Sequence, residues 1–205
     1  GAPTKVNNVP GVIETGSFGF GVRVIHSGSW GFAAGPQVTK DAIARAVADA
    51  VAIAKANAAI QKAPIELAPV PAYRDRYVTP HLKDPFEVPI QDQIAFLQGV
   101  HDAARSVKGV GSVNSGMVFR TEDKYFASSD GSSISQLIFQ TAPTFTATAV
   151  DFATRKSKSR SFQVGPVTAG YEHIETCGML ERAPRLGAVA VEHLSGPSVP
   201  PRLTG

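Results

Sequence analysis

Six prolines fall between Lys62 and Pro89, in KAPIELAPVPAYRDRYVTPHLKDPFEVP, and they limit the folds open to this chain. Proline removes a backbone donor and fixes φ, so no long helix or central strand can run through such a span. The chain must therefore organise itself on either side of it. Tyr73, Tyr77, Leu82 and Phe86 make the span less polar than a flexible linker, which predicts an ordered connector wrapped over a surface and anchored by those four side chains. Three regions follow: residues 1–64, a connector over 65–89, and residues 90–205.

Ahead of the prolines, GSFGFGVRVIHSGSWGF alternates with a period of two. Phe18, Phe20, Val22 and Val24 share one strand face; Gly19, Gly21, Arg23 and Ile25 share the other. His26 to Ser29 supplies a turn and Trp30 to Ala33 returns, which is a hairpin pattern. A helix follows. Thr39 suits the N-cap, Asp41 the first turn, and no glycine or proline interrupts the chain up to Ile60. Ile43, Val47, Val51, Ala54 and Ala58 recur at helical spacing, and the alanine content permits close approach to a neighbour.

Beyond the prolines, Ile90 to Val107 reads as a second helix. Ile90, Ile94, Leu97, His101 and Ala104 share its apolar face, and Gly109 stands at the C-terminal cap. The period then returns to two through SVNSGMVFRTE, KYFASSD, SSISQLIFQTA, TFTATAVDFAT and SRSFQVG. With EDK, DGS, AP and RKSK as turns, this predicts an antiparallel meander of four or five strands. Asp130-Gly131 is a strong hairpin signal. A last helix is predicted from Pro184 to Leu194, with proline in its first turn and Gly196 after its end. The fold class is α+β: a glycine-rich hairpin with an alanine-rich helix, then a helix, a long meander and a C-terminal helix.

Composition removes several functions. A net charge of +3 is too mild to argue for nucleic-acid binding. The basic run RKSKSR, Arg155 to Arg160, lacks interleaved aromatics and reads as a solvated hairpin tip. No stretch reaches the length of a membrane span and no secretory signal is visible, so a cytoplasmic location is expected. The single cysteine, Cys177, excludes an internal disulfide and a thiolate cluster, and fits a reducing compartment.

Nor does the sequence assemble a catalytic constellation. Gly19-Phe20-Gly21 meets Val24 where a dinucleotide fingerprint needs its third glycine, no G-K-[ST] follows, and the glycines lie inside the strand pattern. Their simpler role is to clear space for the alanine-rich helix, and Gly19 and Gly21 are assigned to it. His26, His81, His101, His173 and His193 form no metal-binding pair in sequence. His173 and Glu175 would share one side of an extended segment. Cys177 lies four residues from His173, but Gly178 argues against the helix that would join them, leaving an inert buried cysteine. Ser128, Ser129 and Ser132 flank a turn without a nucleophile-elbow context. No catalytic, cofactor-binding or metal-binding residue is assigned.

The run GFGVRVIHSGSWGFAAGPQVTKDAIARAVADAVAIAKANA resembles the N-terminal region of TldD/PmbA proteins. Later features agree in order: Asp84-Pro85 in the connector, the helix QDQIAFLQGVHDAAR, the serine-rich turn SSDGSS, Gly170-Tyr171-Glu172, and a final helix. The resemblance implies the N-terminal and middle portion of a zinc metallopeptidase that processes small peptides inside a closed dimer. Zinc is expected in the full-length TldD-type protein, on an H-E-x-x-x-H helix that this sequence lacks. The opening GAPTKVNN and the end at PSVPPRLTG then read as the limits of a fragment, silent when isolated. The PmbA (TldE) branch lacks the zinc motif and partners TldD, so a non-enzymatic partner or peptide-binding assembly module is the alternative. The W-G-F-A strand and the meander look more like TldD. The implied partners are the C-terminal catalytic portion, a second copy or a TldD–PmbA heterodimer, and a peptide. An antiparallel edge can hold an extended peptide by strand addition. Ser135, Leu137, Phe139, Thr146 and Thr148 are the expected contacts.

Overall fold

The computed structural model describes residues 11–162 and 164–196. The chain divides into two compact units, the first ending at Val70 and the second beginning at Pro71.

In the first unit, β1 (Phe20–His26) pairs antiparallel with β2 (Ser29–Gly35), with Val24 opposite Gly31 and Val22 opposite Ala33. Ser27 and Gly28 form the turn, both at positive φ (49° and 73°). That combination belongs to the type I′ turn, whose twist matches the strands it joins. Helix α1 (Lys40–Ala58) starts at Thr39, whose hydroxyl accepts the Ala42 N–H at 3.2 Å. Its buried stripe is Ala46, Ala50 and Ala54, while Val47 is 40% exposed. Of the expected face, Ala54 is buried and Ile43, Val51 and Ala58 are half-buried, so the contact stripe is shifted toward Ala46 and Ala50. Alanine wins the interface because β2 comes too close for larger side chains.

The position that permits this approach is Gly31. A Cβ there would lie 1.8 Å from the Ala50 carbonyl oxygen and 2.7 Å from the Ala54 nitrogen. The role expected of Gly19 and Gly21 thus falls to Gly31. In the register, Gly31 shares its face with Val24, whereas Gly21 lies on the opposite face with Arg23 and Phe32. A Cβ on Gly21 would meet the Phe32 ring at 3.0 Å, and one on Gly19 the Gly35 oxygen at 3.1 Å. After α1 the chain returns to the hairpin: Gln61 donates to the Gly28 carbonyl at 2.7 Å, and so does the Ile65 N–H at 2.8 Å.

The second unit is built on a four-stranded sheet. Two very long strands, β4 (Val110–Ala127) and β5 (Ser133–Asp151), form its antiparallel hairpin. Gly131, at φ 99°, turns the 128–132 loop between them, as Asp130-Gly131 predicted. On the far side of β5 lie β3 (Arg74–Val78), parallel, and β6 (Lys156–Ser161), antiparallel. In place of an antiparallel meander of four or five strands there is one long hairpin with two short flanking strands, one of them parallel.

Two of the false turns, EDK and AP, have a physical explanation. EDK lies on an outer strand, whose side chains remain solvated, so charge does not end it. AP contains Pro143, opposite Met117. Backbone polar groups alternate sides along a strand, and Thr141 and Phe145 direct theirs away from β4, to Val167 and Phe162. Pro143 points the same way, into the gap between those contacts, where no partner needs an N–H.

The 65–89 span is also not purely a connector, since β3 lies within it. Thr79 and Pro85 are its fully buried side chains, while Tyr73, Tyr77, Leu82 and Phe86 are 45–87% exposed and anchor nothing.

Helices α2 (Ile90–Arg105) and α4 (Met179–Ser195) cover one face of the sheet. Val100 and Ala104 of α2 meet Phe145 and Ala147 of β5, Phe162, and Met179 and Ala183 of α4. Helix α4 begins five residues before the expected Pro184, which sits inside it. Met179, Ala183, Gly187 and Ala190 are buried at helical spacing, and that burial offsets the hydrogen bond lost at Pro184. A short helix α3 (Glu172–Thr176) precedes it, replacing the extended segment expected at His173 and Glu175.

Candidate functional site

The strand expected to hold a peptide, β5, has no free edge. β4 pairs along one side of it throughout. On the other side Ser135 faces Arg76 and Leu137 faces Val78 of β3. The Phe139 N–H donates to the Thr79 hydroxyl at 3.1 Å, and Thr141 exchanges two backbone hydrogen bonds with Val167 at 2.9 and 3.0 Å. Thr146 and Thr148 face Ser161 and Ser159 of β6, with hydroxyl–hydroxyl hydrogen bonds of 2.9 and 2.8 Å. Addition of another strand to β5 is therefore ruled out at all five positions expected to make contact. Sequence reasoning missed this because each occupying segment lies far along the chain or carries no apolar signal.

The free edge belongs to β4, an outer strand of 18 residues among the described ones. Its unpaired amides and carbonyls form a ready template for an extended segment. The face of this hairpin away from α2 and α4 carries Ser112, Asn114 and Gly116 opposite Thr148, Thr146 and Thr144. Val118 (58% exposed) and Phe126 (55%) lie on the same face. Between them are Arg120, Glu122 and Lys124, with Lys124 Nζ 3.1 Å from Glu122. One long edge thus offers a polar end, a charged middle and an aromatic end.

The other residues singled out by sequence serve structure. The His81 ring packs at a tilt against Phe139 with ring centroids 4.5 Å apart, and its Nδ1 lies 2.7 Å from the Thr79 carbonyl. His101 Nε2 is 2.8 Å from the Ser115 hydroxyl, which ties α2 to β4. Burial and the nearby Arg105 charge hold its pKa below the usual histidine value, against a smaller opposing pull from Asp102. His173 and Cys177 do share a helical turn, since the Cys177 N–H donates to the His173 carbonyl at 2.9 Å. No nucleophile results: the Cys177 thiol donates to the Ile174 carbonyl, and burial pushes its pKa up. Ser132 accepts the Tyr73 N–H at 3.1 Å. RKSKSR is mostly strand β6 itself, with only Arg155 (φ 55°) in the turn.

Among the described residues, no three His, Cys, Asp or Glu are disposed to hold a metal ion, and no helix is long and apolar enough to cross a membrane. The residues at hand do not fit a zinc site.

Sequence comparison places this architecture. Residues 7–54 match PmbA/TldA metallopeptidase domain 1, and residues 83–182 match the PmbA/TldA metallopeptidase central domain. The chain belongs to the PmbA/TldD family. No curated protein sequence matches it. A solved structure described as a "putative modulator of a DNA gyrase" from Thermotoga maritima shares the fold, with a TM-score of 0.65 at 13% sequence identity. The alignment covers 91% of this chain and 40% of that one. This PmbA/TldD chain thus spans two fifths of the length of that relative. The long hairpin lies within the central-domain match, and so does the free edge of β4.

Proposed function

We propose that this chain is the N-terminal and central portion of a PmbA/TldD-type metallopeptidase that processes peptides, and that it forms part of the wall of the substrate cavity. The free edge of β4 is the observation that carries this reading. A peptide docks there as an added strand, its main chain bonded to alternate residues of Val110–Ala127 and its side chains directed to the two faces. The family's description as a metallopeptidase supports the rest. Zinc is held by residues outside this chain, so no chemical step belongs to the residues described here. The dimer contacts and a cytoplasmic setting are part of the same proposal.

Amide hydrogen exchange with an extended peptide tests it. Protection confined to alternate amides of residues 110–127 is expected, with β5 unchanged. Protection that leaves 110–127 untouched overturns it. The second reading, a non-enzymatic PmbA-type partner, is separated by the gene sequence after Gly205: an H-E-x-x-x-H segment there supports the peptidase, and its absence supports the partner.

A further inference from the structure

A cleft of about 530 Å³ opens in the second unit between the 82–89 loop, the first turns of α2, and α3. Four carboxylates line it, from Asp84, Glu87, Asp92 and Glu175, against one ammonium, that of Lys83. Lys83 is already committed: its Nζ lies 2.6 and 2.7 Å from the two Glu175 oxygens. Asp84 accepts the Phe86 N–H at 2.8 Å, while the carboxylates of Glu87 and Asp92 have no hydrogen-bond partner among the described residues. In a chain whose net charge is +3, this excess of acid is local.

The second observation concerns Tyr171. Its side chain is 5% exposed and its ring packs on Phe119, with centroids 5.8 Å apart. Its hydroxyl has no hydrogen-bond partner among the described residues, although the residue lines the cleft. Burial, reinforced by the negative charges of Glu175 and Asp92, raises its pKa and keeps the phenol protonated. The ring is enclosed while the hydroxyl reaches the open space of the cleft, where a ligand can meet it.

The chemistry selects the ligand. The carboxylates do not converge as a metal site requires. Spread carboxylates lining the same cleft as a neutral hydroxyl suit a broad planar cation with several N–H donors. Guanidinium has five in a fixed fork and is more weakly hydrated than ammonium. The half-buried Phe96 ring borders the same space and can cover an aliphatic stem. We propose that this cleft binds the guanidinium side chain of an arginine in a peptide ligand. Asp92 and Glu87 balance the charge, and the Tyr171 oxygen accepts one N–H.

Calorimetric titration of this chain with acetyl-arginine methylamide, and separately with its neutral isostere acetyl-citrulline methylamide, tests the proposal. Saturable binding of the arginine compound is expected, about tenfold or more tighter than citrulline, weakening as salt is raised. Tyr171→Phe keeps the ring on Phe119 and Asp92→Asn alters only an exposed carboxylate; each should lower affinity several-fold, with thermal unfolding confirming the fold. Equal binding of the two compounds, no saturable binding, or unchanged affinity in both variants overturns the proposal. So does tighter binding of calcium alone. Peptide protection of β4 that persists beside any of these results leaves the strand-addition reading standing.

Discussion

The Cα of Gly31 lies so close to the Ala50 carbonyl that a β-carbon would sit 1.8 Å from its oxygen. The obstacle is helix backbone, which cannot rotate aside. Gly31→Ala should therefore destabilise the first unit by about 3 kcal/mol or more, since relief requires moving α1 off β2. Gly16→Ala, with nothing within 4 Å, should be close to neutral. Urea unfolding of both variants, followed by far-ultraviolet circular dichroism, makes the comparison.

Thr141 is fully buried, and its hydroxyl lies 2.9 Å from the Ala169 carbonyl and 3.1 Å from that of Gly170. Thr141→Val keeps the shape but removes the donor. A loss of about 1–3 kcal/mol is expected, because the carbonyls stay buried without their partner. Thr141→Ser should retain more stability than valine does. Equal losses for the two variants would show that packing, and not the hydroxyl, holds this corner.

The depressed pKa of His101 sets a direction for acid sensitivity. Between its folded and unfolded pKa values the unfolded chain binds the extra proton, so stability rises with pH across that window. The contribution is complete above the unfolded value near 6.5 and is lost as pH falls through the lower folded value. The unfolding midpoint should drop between pH 7 and pH 5, and His101→Gln should flatten that dependence. A variant that keeps the full slope would assign it to other groups.

Lys124 and Glu122 place charge in the middle of the free β4 edge. Replacing Arg120, Glu122 and Lys124 together by threonine removes a device that discourages strand-to-strand association. Sedimentation velocity should show concentration-dependent self-association beyond that of the parent sequence. A triple variant that associates no more than the parent would mean that the edge is protected in some other way.

Local chemistry made part of this fold readable. Thr39, the uninterrupted run after it and the alanine spacing define α1 almost to the residue, and Asp130-Gly131 marks the β4–β5 turn. The rest is non-local. Arg74-Asp75-Arg76 carries no apolar pattern and is wholly exposed, so nothing in it announces a strand; its order comes from parallel pairing with β5. Pro143 looks like a breaker until the strand on each side of it is known. The acidic cleft joins Asp84 and Asp92 to Tyr171 and Glu175, across about eighty residues, and no local spacing records that meeting.

The second edge of β5 is closed in turn by β3, Thr79, Val167, Phe162 and β6, segments drawn from both sides of the hairpin in sequence. β5 cannot be fully bonded until chain from Arg74 to Val167 has come together, so the sheet is completed late and as a whole. Once formed, its least buried parts are the short flanking strands β3 and β6, exposed at every residue, so the second edge of β5 opens there before the long hairpin does.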